Sequence, residues 1–60
     1  MTSKELERLI NNDGWIIDIT RGSHRQYKHP TKKGEVTIPW HKGDIPKGTL
    51  KSILKQAGLK

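Results

Sequence analysis

Residues 15–29, Trp-Ile-Ile-Asp-Ile-Thr-Arg-Gly-Ser-His-Arg-Gln-Tyr-Lys-His, decide how this chain folds. Trp15 to Thr20 is rich in β-branched and aromatic residues and reads as a strand, with Trp15, Ile17 and Ile19 on one side and Ile16, Asp18 and Thr20 on the other. Arg21-Gly22-Ser23 reads as a turn, and a second strand runs from about His24 to His29. A two-residue Gly22-Ser23 loop would pair Arg21 with His24 and bring Gln26 and Lys28 beside Ile17 and Ile19, a poor match. A three-residue loop brings Tyr27 and Arg25 to the apolar side instead. It leaves His24, Gln26 and Lys28 on the opposite, solvent-facing side with Asp18, and it is the register expected here.

Working outward, Thr2 and Glu5 have the spacing of a capping box, in which each side chain satisfies a free amide at a helix start. Leu6, Leu9 and Ile10 follow at helical spacing, and Asn11-Asn12-Asp13-Gly14 ends this first helix after about ten residues. Pro30 to Gly34 is a turn-rich connector. A third strand, Glu35 to Trp40, carries Val36, Ile38 and Trp40 on one face. With residues 30–33 as the connecting loop, Tyr27 pairs with Val36 and Lys28 with Glu35. His41 to Ile45 is a loop, Asp44 a candidate N-cap and Pro46 a first-turn residue of the last helix. Leu50, Ile53, Leu54 and Ala57 form its apolar stripe. Gly58 is its C-cap, with Leu59 folding back in a Schellman motif. The expected architecture is one α+β domain over residues 1–60, ordered α-β-β-β-α, with both helices on one face of a three-stranded antiparallel meander.

Charge narrows the function. The net charge is +6 and the pI near 10.0. Residues 1–20 hold Lys4 and Arg8 against Glu5, Glu7, Asp13 and Asp18, whereas residues 21–60 hold ten Lys or Arg against Glu35 and Asp44. Excess positive charge gathered in one segment is the footprint of a polyanion binder. There is no cysteine, hence no disulfide or thiolate metal site, which fits a cytoplasmic protein. No apolar run is long enough for a membrane span or a signal-peptide core.

His24 is the residue best placed for chemistry. Imidazole both takes and gives protons near neutral pH. RNA supplies its own nucleophile, the 2′-hydroxyl, so cleavage needs only a proton acceptor, charge on the phosphate and a proton donor. Gly22 and Ser23 would form the turn that positions His24. Arg21, Lys28, Lys32, Lys33, Lys42, Lys47 and Lys51 are candidate phosphate contacts. Asp18, His29 and His41 are candidates for an orienting group or a second proton-transfer group. The bland readings are a turn residue for His24 and solvated polar residues for the others. His24-x4-His29, with His41 further on, matches no zinc spacing, so no metal and no cofactor is expected. Trp15, Tyr27 and Trp40 could stack on bases, but all fall on the inward face and read as core.

Three segments together carry a resemblance that covers essentially the whole chain. Gly22-Ser23-His24-Arg25 after the first strand, Ile38-Pro39-Trp40-His41 in the third, and Gly48 to Gly58 in the last helix resemble the HicA toxins. These are mRNA interferases of bacterial and phage type II toxin–antitoxin modules. The resemblance implies a double-stranded-RNA-binding-like α-β-β-β-α fold and ribosome-independent cleavage of mRNA, with His24 as catalytic residue; the histidine chemistry above makes that cleavage metal-independent. It also implies a HicB-type antitoxin that covers the active face. Family members often carry an arginine a few residues before the turn, where this chain offers Arg21. The alternative is a non-catalytic double-stranded-RNA-binding module, which shares this element order. A DNA-binding regulator ranks last, because the stripe of the last helix suits packing on a sheet.

Overall fold

The computed structural model describes residues 1–59. The elements are α1 (Ser3–Asn12), β1 (Ile16–Arg21), β2 (His24–Lys28), β3 (Val36–Pro39) and α2 (Lys47–Gln56). The sheet is antiparallel with strand order β1-β2-β3. Leu6 and Ile10 of α1 meet Trp15, Tyr27, Val36, Ile38, Ile45, Ile53 and Ala57 in a single core. Both helices therefore lie on one face and leave the other open. This is the α+β architecture expected.

Local chemistry sets the ends of the elements. The Thr2 hydroxyl accepts from the Glu5 amide and the Glu5 carboxylate accepts from the Thr2 amide, so the capping box is complete. The amide hydrogen bond from Thr2 holds the Glu5 carboxyl below its ordinary range. α1 ends in a Schellman motif: the Gly14 amide donates to Asn11 and the Trp15 amide to Ile10. α2 ends the same way, Gly58 to Lys55 and Leu59 to Leu54. The start of α2 differs from expectation. Pro46 occupies the N-cap position with no side-chain cap, and Asp44 instead bridges to Thr2 and faces the N-terminal ammonium at 3.6 Å.

The hairpin register is corrected by the structure. Arg21 pairs with His24 across a two-residue Gly22-Ser23 loop, Thr20 with Arg25, and Ile19 with Gln26. The register then shifts between Ile17 and Ile19, so that Ile17 still pairs with Tyr27 and Ile16 with Lys28. Asp18 is the extra residue of a β-bulge. The expected register holds at the Tyr27 end and fails at the turn, because the bulge gives the two ends of the pair different registers. Gly22, at φ +54, supplies the positive φ that the first central residue of a type II′ turn needs.

The bulge also overturns the expected facing of β1. Ile19 joins Gln26 on the open face, and Ile17, although on the side of Tyr27, remains 50% exposed. β1 is an edge strand, and the helices sit over β3. Trp15, the residue just before β1, is the one that is buried. Tyr27 pairs with Val36 as expected, but β3 begins after Glu35, so Lys28 finds Asp18 at 3.6 Å rather than Glu35.

Candidate active site

His24 stands on the open face of the sheet, exposed, opposite Arg21 on one side and Pro39 on the other. Three constraints hold it there. The Gly22-Ser23 turn closes the hairpin behind it. The Trp40 amide donates to the Ser23 carbonyl at 2.5 Å and ties the turn to the end of β3. The next residue, Arg25, points to the helix side, where its guanidinium lies 3.8 Å from the centroid of the Trp40 ring and meets Glu7 Oε2 at 3.4 Å. The Tyr27 hydroxyl donates to the same carboxylate oxygen. Burial and that hydrogen bond push the Tyr27 phenol well above its ordinary range. The strand that carries His24 is thus bolted to α1 and β3 from below, while its outer face stays clear.

The other candidates separate into two groups. His41 and Lys42 follow Trp40 directly, so they emerge at the His24 end of the sheet, and Lys47 opens α2 beyond that loop. Lys51 lies one turn further along α2, on the helix layer rather than the open sheet face. Lys28, His29, Lys32 and Lys33 lie at the far end. Lys28 is four residues from His24 along β2, about 13 Å at the usual strand rise.

Two far-end residues are occupied by structural work. The His29 Nδ1 accepts from the Thr31 and Lys32 amides, both at 3.1 Å, so it carries no proton. Its Nε2–H therefore donates to the Asp13 carbonyl at 2.7 Å, and its ring packs edge-on against Trp15. With a side chain only 9% exposed, His29 is a turn clamp. Lys32 bonds Asp13 and donates to the Ala57 carbonyl at 3.0 Å, capping the end of α2. The same carbonyl accepts from the Trp15 indole. The Lys32 ammonium holds the Asp13 carboxyl below its ordinary range. Asp18 sits at the bulge, paired with Lys28 rather than beside His24 as expected. Among the described residues no three His, Asp or Glu side chains converge as a metal-binding group would need.

The clamp of Glu7, Arg25, Tyr27 and Trp40 was not assembled from the sequence, although the expected inward facing of Arg25 was its signal. Lys32 had a signal too: a lysine near the end of a helix can cap its last carbonyls. Nothing local, however, says that residue 32 meets residue 57.

The model of a family described as "HicA toxin of bacterial toxin-antitoxin" matches residues 3–59. The chain belongs to the HicA toxin family. Its fold agrees with that of a chain in a solved toxin–antitoxin complex from Streptococcus pneumoniae, with a TM-score of 0.83 and 37% sequence identity over 98% of each chain. No curated protein matches significantly. Within this HicA chain the Gly22-Ser23-His24 turn adjoins the Pro39–His41 segment, and the last helix packs against β3. The N-terminal turn of α2 follows the loop that leaves Trp40, and Ser3 at the start of α1 donates to the Pro39 carbonyl at 2.8 Å. One end of the molecule thus gathers the hairpin tip, both helix N-termini and the basic loop. The positive ends of two helix dipoles add to the field of Arg21, Lys42 and Lys47.

Proposed function

We propose that this HicA chain is a ribosome-independent mRNA endonuclease that uses His24 as a proton-transfer group and arrests translation until an antitoxin neutralises it. The observation that carries this reading is an exposed imidazole on an open sheet face, opposite Arg21 and held by a rigid strand. An RNA phosphate resting there would meet a proton acceptor and a cation together, which in-line attack by the 2′-hydroxyl requires. Lys42 and Lys47 adjoin the same end and would hold the flanking backbone, with Gly22 and Ser23 serving as the scaffold of the turn. Lys28, Lys33 and Lys51 lie further out and would contribute field rather than contact. The chemistry needs no metal, because the 2′-oxygen is an internal nucleophile.

A partner follows from the same geometry. The open face lacks a second layer, and the structural relative comes from a toxin–antitoxin complex. A HicB-type antitoxin laid over this face would exclude RNA from His24 directly, and both would act in the cytoplasm where mRNA is. The deciding experiment incubates purified protein with single-stranded and duplex RNA, with and without EDTA. His24→Ala should abolish cleavage and growth arrest while unfolding within about 0.5 kcal/mol of wild type, as for an exposed side chain without structural partners. A folded His24→Ala variant that still cuts RNA removes the assignment. Tight duplex binding by the wild type with no cleavage would favour the double-stranded-RNA-binding module instead.

A further inference from the structure

We infer that His41 is the second proton-transfer group of this site, the one that protonates the leaving 5′-oxygen, an assignment that rests on the endonuclease reading. The three candidates for that role now differ sharply. His29 has both ring nitrogens engaged and stands at the opposite end of the sheet. Asp18 is paired with Lys28 at the bulge. His41 alone is exposed and at the His24 end.

Its position follows from the ladder. His24 pairs with Pro39 on the open face, and the next rung is closed by the Trp40 amide donating to Ser23. Trp40 faces the helices, where it stacks under Arg25. His41 follows just past the end of β3 and is exposed at the end of the sheet where Pro39 pairs with His24. Two residues of chain, at most about 7 Å, separate His41 from Pro39, the rung partner of His24. That spacing lets two imidazoles flank one phosphodiester rather than collide.

The orientation of the ring suits a donor. His41 Nδ1 lies 2.9 Å from the Lys42 carbonyl, which can only accept, so Nδ1 carries the proton in the neutral form. Nε2 is then the ring nitrogen left free to meet a substrate. In the step itself His24 takes the 2′-hydroxyl proton as the 2′-oxygen forms its bond to phosphorus. The bond from phosphorus to the 5′-oxygen breaks, and that oxygen takes the proton from His41 Nε2. The products are a 2′,3′-cyclic phosphate and a 5′-hydroxyl. His24 ends protonated and His41 neutral, and exchange with water restores both.

The test compares ordinary RNA with RNA bearing a 5′-thio leaving group, which departs without a proton. His41→Ala should cut ordinary RNA about 10²-fold or more slowly than wild type, the usual contribution of a general acid. It should cut the thio substrate at close to the wild-type rate, and its pH–rate profile should lose the alkaline limb. An unchanged rate on ordinary RNA, or an equal loss on both substrates, overturns the role of His41 and leaves the role of His24 standing. Wild-type protein that leaves both RNAs intact overturns the endonuclease reading itself.

Discussion

Gly14 and Gly22 both adopt positive φ, at +111 and +54, yet their replacement by alanine should have very different costs. A Cβ on Gly22 would meet nothing within 4 Å, so Gly22→Ala carries backbone strain alone, about 1–2 kcal/mol. A Cβ on Gly14 would fall 2.7 Å from His29 Nε2, well inside contact distance. His29 cannot swing away cheaply, because its two nitrogens bind the Asp13 carbonyl and the Thr31 and Lys32 amides. Retreat forfeits at least one of these hydrogen bonds, about 1 kcal/mol each, on top of strain of roughly 1–3 kcal/mol. Gly14→Ala should therefore cost at least about 2–4 kcal/mol in all. For a chain this short the whole folding free energy is roughly 3–9 kcal/mol. That substitution should then leave the protein marginal or unfolded at 37 °C, while Gly22→Ala stays folded.

Urea unfolding followed by the fluorescence of Trp15 and Trp40 gives both values. The double variant Gly14→Ala/His29→Ala isolates the clash, since it should cost clearly less than the sum of the two single changes. Equal costs for Gly14→Ala and Gly22→Ala, within about 0.5 kcal/mol, would show that His29 is not the fixed clamp its hydrogen bonds describe.

Three further perturbations test other parts of the framework. Tyr27→Phe keeps the buried ring but removes the hydroxyl that donates to Glu7, and should destabilise by about 1.5–3 kcal/mol, read as a lower urea midpoint with an unchanged m value. Lys32→Met should flatten the acid limb of the stability–pH curve. The lowered Asp13 carboxyl contributes stability that is present above its ordinary value of 3.8 and lost as pH falls through its lower folded value, and most of that dependence goes with the ammonium, its largest cause. An acid limb as steep as wild type would place the source elsewhere. Deletion of Asp18 should be tolerated to within about 1 kcal/mol, because it removes only the unpaired bulge residue and leaves one continuous register. Cross-strand NOEs between Arg21 and His24 and between Ile17 and Tyr27 should survive together, and loss of either would contradict the bulge.

Much of the framework is written locally. The Thr2–Glu5 box, Gly14 and Gly58 mark helix ends through hydrogen bonds that span only a few residues. Element order follows from periodicity and punctuation for the same reason, and three motifs in series carry the family resemblance. His24 is legible as the candidate for chemistry because its type and its turn are both local features. Tertiary structure alone decided the bulge at Asp18, which satisfies the turn and the Tyr27 end at once by adding a residue that no pairing rule demands. It decided that Ile17 and Ile19 stay exposed, since only the placement of the helices over β3 makes β1 an uncovered edge. It also divided the basic residues, committing Lys32 to Asp13 and Ala57 while leaving Arg21, Lys42 and Lys47 at the His24 end. Charge in a sequence reports how many cations there are; which of them are free depends on partners tens of residues away, and only the folded chain brings those partners within reach.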